Sequence, residues 1–165
     1  SQRVDLYGDS VDTNSISTER TSINQVAAVA NKSGTQTVPS GTVTKLTWDG
    51  ATVEDTDVLS VDLTNNQIII QKTGTYLIVP QVGWESSSDW STGDIFSLDL
   101  RVNGSSEFIT GPRKVGTERQ DAMMQYIDKF SNGDSIELFA FQDSGADQIV
   151  RASNDRTRFQ VVRIG

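Results

Sequence analysis

Residues 65–85 read NNQIIIQKTGTYLIVPQVGWE, and this stretch decides the fold. It contains three consecutive isoleucines at 68–70, a β-branched apolar run that is typical of a buried strand. Lys-Thr-Gly at 72–74 then interrupts the run, and Gly74 is free to adopt a positive φ there. A longer strand begins at Thr75, so the stretch predicts two strands joined by a turn.

The longer strand carries apolar residues on both of its faces. Tyr76 and Ile78 share one face, whereas Leu77 and Val79 share the other, because side chains alternate along a strand. A strand in an antiparallel sandwich usually has one polar face. We therefore expect one face to pack in the domain's own core and the other to be covered by a neighbouring subunit.

The rest of the chain reads as short strands separated by turns and loops. Apolar alternation or β-branched runs predict strands at 25–32, 41–48, 58–63, 94–102, 121–130, 136–141, 149–152 and 158–164. We expect loops at 33–40, 49–57 and 105–120. Asn103-Gly104 and Asn132-Gly133 supply turns, and no segment favours a helix. The sequence therefore predicts an all-β sandwich of about ten short antiparallel strands.

The composition excludes several classes of function. The chain has 165 residues, enough for one domain with a sizeable core. It has no cysteine and no histidine, which removes a disulfide framework and the usual acid/base catalyst at neutral pH. No apolar run approaches the ~18–20 residues that span a bilayer, so we expect no membrane insertion.

The balance of charge is strongly acidic. A net charge of −8 and a pI of about 4.4 argue against a nucleic-acid partner, which needs clustered lysine and arginine. An acidic, lysine-poor surface also fits a halophilic protein that stays soluble in high salt. The alternative is that aspartate is simply common in the turns of β proteins.

Four segments, taken in order, resemble tumour-necrosis-factor and C1q-like domains. They are QVAAVANKSG at 25–34, NNQIIIQKTGTYLIVPQV at 65–82, NGDSI at 132–136 and RFQVVRIG at 158–165. The second has the short apolar strand, glycine and tyrosine that precede a long strand in that superfamily, and the third resembles its glycine-aspartate turn. The resemblance covers residues 25–165 and implies a jelly-roll β-sandwich that forms a compact homotrimer.

The resemblance also implies which side chains line the threefold axis of such a trimer. Carried over by position, they are Leu77 and Val79 of the long strand, with Met123 and Arg158 of later strands. Arg158 departs from the aromatic residue often found at its position. Three arginines near one axis repel one another unless carboxylates, anions or water accompany them.

Residues 1–24 are polar and match no part of the superfamily pattern. We expect an arm that docks through Val4, Leu6 and Tyr7 on a neighbouring subunit or on another protein, such as a capsid or tail protein. The alternative is a poorly ordered leader. The first residues do not resemble an export signal, and a signal that had been removed would leave the same start.

The serine-rich stretch 84–93 offers a candidate contact with a partner. Trp90 lies between Asp89 and Ser91, among residues that favour exposure. An exposed aromatic beside a carboxylate could stack on a glycan or anchor a protein contact. The alternative is that Trp90 folds back onto the domain.

Two acidic loops, at 49–57 and 143–147, offer oxygen ligands, and calcium occurs in some C1q-like trimers. Neither loop has the ligand spacing of a dedicated calcium site. We therefore predict no metal and no other cofactor, with calcium as the alternative.

An enzyme is not expected, because the chain has no nucleophile motif, no phosphate-binding glycine loop and no redox residue. The favoured hypothesis is a trimeric structural protein at the surface of a virus particle: a capsid decoration protein, turret or fibre head that adds capsid stability or host adhesion. The alternative is an extracellular trimer, secreted or on a cell surface, that binds a glycan or receptor through its loops.

Overall fold

A computed structural model of the chain describes residues 27–113, 116–152 and 156–165. That part forms strands and no helix; the strands are β1 Ala27–Asn31, β2 Gln36–Val38, β3 Thr44–Lys45, β4 Gly50–Val53, β5 Leu59–Asp62, β6 Gln67–Ile70, β7 Gly74–Trp84, β8 Phe96–Val102, β9 Ser105–Thr110, β10 Gln120–Met123, β11 Tyr126–Phe130, β12 Ser135–Gln142, β13 Gln148–Val150 and β14 Arg158–Arg163. It contains no helix with the length and hydropathy needed to cross a membrane. The expected docking residues Val4, Leu6 and Tyr7, with the rest of 1–24, lie outside the described residues.

The strands form two antiparallel sheets, as the sequence predicted. The larger sheet has eight strands in the order β2-β13-β7-β14-β1-β4, with β10 and β11 also paired to β7. The smaller sheet has six strands in the order β5-β6-β12-β8-β9, with β3 paired to β12. β7, the long strand that the sequence predicted from Thr75 onward, is thus the central strand of the larger sheet.

The core contains buried side chains from both sheets, and the inner face of β7 supplies much of it. Tyr76 and Ile78 are fully buried there, as are Leu98 of β8 and Leu138 of β12. Full burial of an aliphatic side chain of this size stabilises a fold by about 1.5–3 kcal/mol. One of the two apolar faces predicted for the long strand therefore packs in the domain's own core.

Pro80 explains a break in the sheet beside β7. β10 pairs with residues 81–84 of β7 and β11 with residues 74–78, in one continuous register. Between them the Met124 N–H donates to the Pro80 carbonyl at 3.3 Å, but Pro80 has no N–H with which to return the bond. The single strand expected at 121–130 is divided in two for this reason.

Gly74 begins β7, but not for the reason that the sequence suggested. Its φ is not positive, so the conformational freedom of glycine is not what this position requires. A Cβ at Gly74 would lie 2.4 Å from the Gly165 carbonyl oxygen and 2.8 Å from Nε of Arg163. The Gly165 carbonyl also accepts a hydrogen bond from the Thr75 N–H at 2.7 Å. Glycine is needed here because the chain beyond β14 passes directly against it.

All three expected loops contain strands, and the first of them, 33–40, includes β2. The segment 105–120 includes all of β9, and the segment 49–57 includes β4. β9 is an edge strand whose first five residues are exposed, so it lacks the apolar alternation by which strands are recognised. The turn before it was predicted: Asn103 and Gly104 have φ of 51° and 81°, as a two-residue hairpin turn requires.

Candidate self-association face

The outer face of the eight-stranded sheet is apolar near its centre. Leu77 of β7 lies opposite Ile127 of β11 on one side and Val162 of β14 on the other. Val162 in turn lies opposite Ala27 of β1. Directly paired residues of an antiparallel sheet share a face, with Cβ atoms about 4.5–5.5 Å apart. These four residues therefore form a continuous apolar row across four strands.

Within the described part of the chain, the apolar row is partly open to solvent. Ile127 is 59% exposed, while Leu77 and Val162 are partly buried. Val79, two residues further along β7, adds another partly buried apolar side chain to the same face. The outer face of a sandwich is usually polar, so an apolar row in this position is a candidate contact surface.

All four residues that the resemblance placed on a threefold axis lie on this face. Leu77 and Val79 are in the middle of β7. Met123 of β10 and Arg158 of β14 lie on either side of Gln81, each directly paired with it. Met123 is 57% exposed and Arg158 is exposed. The fold brings these residues together on one surface, and their role in a trimer stays a prediction.

Sequence reasoning missed Ile127 and Val162 as members of this face. A signal was present, because Ile127 alternates in phase with Met123, and Val162 alternates in phase with Arg158. The pairing register places both residues beside Leu77, and the register cannot be read from the sequence.

The same face becomes charged toward the end of β7. Glu85 accepts a hydrogen bond from Nε of Arg119 at 2.8 Å and lies 3.4 Å from Nε of Arg151. Asp121 accepts a hydrogen bond from Arg156 at 3.0 Å. Since Arg119 and Arg156 are largely exposed, each of these ion pairs adds little to stability by itself, about 0–1 kcal/mol.

Trp90 is not an exposed anchor, and that interpretation was wrong. Its side chain is 2% exposed and packs edge-to-face against Trp84 and Phe96, with ring centroids 5.7 Å and 6.1 Å away. Asp89 is exposed, and its carboxylate accepts a hydrogen bond from the Ser87 hydroxyl at 3.2 Å. The polar neighbours of Trp90 suggested exposure, but the aromatic pocket between β7 and β8 could not be seen in the local sequence.

The acidic loops use their carboxylates to fix the backbone. Asp49 accepts hydrogen bonds from the N–H groups of Ser33 at 2.7 Å and Gly34 at 2.9 Å. Burial alone would raise the pKa of Asp49, but these hydrogen bonds outweigh it and hold the pKa below its usual value. Asp143 accepts from the Ile95 N–H at 2.6 Å. Among the described residues, no three acidic side chains converge as metal ligands would.

Comparison with solved structures identifies the class of fold. The structure of Eiger TNF from S. frugiperda matches with a TM-score of 0.61 at 14% identity, over 86% of this chain and 93% of that chain. Murine APRIL at pH 5.0 matches with a TM-score of 0.62 at 14% identity, over 84% of this chain and 98% of that chain. No family model matches the sequence, and a search of curated proteins finds no relative.

Sequence identity this low establishes the fold alone. The chain has a TNF-like jelly-roll fold, as the four resembling segments implied.

Proposed function

We propose that this chain is a non-enzymatic module that assembles into a homotrimer through the outer face of its eight-stranded sheet. The observation that carries the proposal is the apolar row, Ala27, Val162, Leu77 and Ile127, on the central strands of that sheet. Removing apolar surface from water contributes about 25 cal/mol per Å² toward association, against the entropy that the associating chains lose. The TNF-like fold and the sequence resemblance support a threefold arrangement rather than a twofold one.

The native mass in solution tests this proposal directly. Light scattering on the full chain should give three times the mass of one chain, and Ile127→Glu should shift the protein toward monomer. A charge placed in an apolar interface must lose its hydration without gaining a partner, which disfavours association. A chain that is monomeric at every concentration would contradict the proposal.

The chain offers a closely matched control. Ile109 of β9 is 61% exposed, against 59% for Ile127, but lies on the other sheet. Ile109→Glu introduces the same side chain at a similar exposure in a strand. It should leave the native mass unchanged. Equal dissociation of both variants would mean that added negative charge, and not the apolar row, governs assembly.

Within this assembly role we favour a structural protein at the surface of a virus particle. The polar segment 1–24, which resembles no part of the TNF-like domain, suits docking on a capsid or tail protein. If it does, the full chain will co-sediment with assembled capsids and a chain that starts at Gln25 will not. If the chain that starts at Gln25 co-sediments as well, residues 1–24 are not the docking segment. Capsid or tail genes beside this gene would independently favour the virion role.

The likeness to Eiger TNF and APRIL keeps one alternative open. In it, the chain is an extracellular trimer that binds a glycan or receptor through its loops. Since Trp90 is buried, that alternative now lacks its aromatic anchor. An export signal on the full-length gene would favour it over the virion role.

A further inference from the structure

A cleft of about 410 Å³ lies at the charged end of the outer face and is lined by Arg119, Gln120, Asp121, Arg151 and Arg156. We call it the arginine cleft. Its three arginines come from separate segments: one directly before β10, one directly after β13 and one shortly before β14. They meet because β10, β13 and β14 all pair with β7.

Gly83 of β7 lies beneath the side chains of the cleft. A Cβ at Gly83 would lie 3.1 Å from Oδ1 of Asp121, 3.2 Å from Cβ of Arg156 and 3.3 Å from Cδ of Arg151. The Gly83 carbonyl accepts a hydrogen bond from the Arg151 N–H at 2.8 Å, and its own N–H donates to the Thr157 hydroxyl at 3.2 Å. Because glycine has no side chain, Arg151 and Arg156 can lie close to the backbone at Gly83. The hydrogen bonds of the Gly83 carbonyl and N–H groups hold that backbone in place.

The resident carboxylates satisfy the cleft only in part. Among the described residues, Glu85 pairs with Arg119 and Arg151, and Asp121 pairs with Arg156, so three guanidinium groups face two carboxylates. A guanidinium carries five N–H donors, and these ion pairs occupy one nitrogen of each arginine. For Arg151 that nitrogen is the buried Nε, which lies 3.4 Å from Glu85 as an ion pair but makes no hydrogen bond to any described residue. The described residues thus make the cleft locally positive and rich in donors, in a chain with a net charge of −8.

We propose that the arginine cleft binds a tetrahedral oxyanion, phosphate or sulfate. Guanidinium groups donate paired, charge-assisted hydrogen bonds to such oxygens. Because the donors come from three segments, they suit an ion with oxygens at four corners better than a planar carboxylate. Glu85 and Asp121 repel the anion, but they also hold the arginines in place, so binding requires little side-chain ordering.

The arginine cleft adjoins the surface proposed for self-association. Gln81 lies opposite both Met123 and Arg158, and its side-chain amide donates to Asp121 at 3.0 Å. Where copies pack through this face, a bound oxyanion reduces the repulsion among their arginines. This consequence, unlike the binding itself, rests on the proposed homotrimer.

Calorimetric titration of the full chain with inorganic phosphate tests the site, at constant ionic strength with chloride as the balancing anion. We expect saturable binding of one ion per chain. Arg119→Gln combined with Arg156→Gln should weaken binding about tenfold or more, since charged hydrogen bonds are lost. Both side chains are more than half exposed, at 58% and 57%, so this variant should stay folded.

Arg113→Gln combined with Lys72→Gln is the matched control, because it also removes two positive charges, from exposed positions outside the cleft. It should leave phosphate affinity unchanged. No saturable heat with the natural sequence, or an equal loss of affinity in the control, would overturn the proposal. Phenyl phosphate then separates two sources of the ion: binding like that of phosphate indicates an ester group on a larger ligand, and exclusion indicates the free ion.

Light scattering on the same samples separates this site from the proposed trimer. If phosphate binds without changing the native mass, the site is supported and binding has no effect on self-association. A trimer that forms without any phosphate binding supports the assembly and overturns the site.

Discussion

At Gly74 a backbone carbonyl occupies the space that a side chain would need. The Gly165 oxygen lies 2.4 Å from the position of a Cβ, and its hydrogen bond to the Thr75 N–H restrains it. Gly74→Ala should therefore lower the free energy of unfolding by about 1–3 kcal/mol, as overpacking does elsewhere. Urea denaturation measures the change.

Gly50 in β4 provides the comparison for Gly74. It is also a strand glycine without a positive φ, but the nearest atom to its Cβ position would be Cβ of Asn31 at 3.8 Å. Gly50→Ala should be neutral or should stabilise by about 0.4–1 kcal/mol, because it reduces the entropy of the unfolded chain. If both variants lose the same stability, the close contact at Gly74 is not the cause.

Asp49 makes a prediction about pH. Hydrogen bonds from Ser33 and Gly34 hold the pKa of Asp49 below its unfolded value, although the desolvation of this largely exposed carboxylate acts to raise it. A depressed folded pKa adds stability that is present above the unfolded pKa and lost as pH falls through the folded one. Asp49→Ala should cost roughly 1 kcal/mol at pH 7, a modest value because the group is exposed.

The cost of Asp49→Ala should shrink below about pH 4, where the unfolded chain binds the proton that the folded carboxylate resists. Unfolding curves at pH 7, 5 and 3 measure this. Asp147, which is also exposed, serves as the control, and its alanine variant should change stability by less than about 0.5 kcal/mol. A cost that is constant across this pH range would show that Asp49 does not act through its charge.

At single residues, the sequence identified special positions more reliably than their environments. Gly74 was singled out correctly, but the reason lies with Gly165, ninety-one positions away. Trp90 stood out as an aromatic among polar residues, yet its surroundings are set by Trp84 and Phe96 on two strands. Contacts made across the sandwich leave no trace in a local pattern.

At the scale of elements, the connection between β7 and β8 is held to the core by a cluster of three aromatic rings. Trp90, in the middle of this connection, contacts Trp84 at the end of β7 and Phe96 at the start of β8. The Trp84 and Phe96 rings also contact each other, with centroids 6.1 Å apart. One loop residue therefore helps to join the two sheets.

Trp90→Ala should accordingly lower the free energy of unfolding by about 3–5 kcal/mol, since it leaves a cavity in the core. Urea denaturation followed by circular dichroism measures this. Asp89→Ala, one position earlier and exposed, should change stability by less than about 0.5 kcal/mol. A small effect at Trp90 would mean that the loop folds independently of the ring cluster.

Elements with a buried face were predictable, and exposed edge elements were not. β7 alternates between partly buried and buried residues from Thr75 to Val82, so its position and its two faces follow from that stretch alone. β9 forms at the edge of the smaller sheet because β8 offers it a hairpin turn and a row of free backbone groups. Its exposed side chains carry no periodic signal, so 105–120 looked like a loop.

At the scale of the whole molecule, the outer face of the larger sheet has two parts. The apolar row occupies one part, and the arginine cleft occupies the other, beyond Gln81. The apolar part was foreseeable, since the sequence already predicted that a neighbouring subunit covers Leu77 and Val79. The cleft was not, because Arg119, Arg151 and Arg156 become neighbours only through the order of strands around β7.

This division predicts how salt affects self-association. Each chain carries a net charge of −8, so copies repel one another at long range. Raising salt from 0.1 M to 1 M shortens the screening length from about 10 Å to 3 Å, which weakens that repulsion, while apolar contact does not depend on it. In phosphate-free buffer, sedimentation velocity at fixed protein concentration should show a trimer fraction that rises with sodium chloride.

Ile127→Glu should stay monomeric at each salt concentration, and Ile109→Glu should follow the natural sequence. A trimer fraction that falls with salt would mean that ion pairs between copies, rather than the apolar row, hold the assembly together.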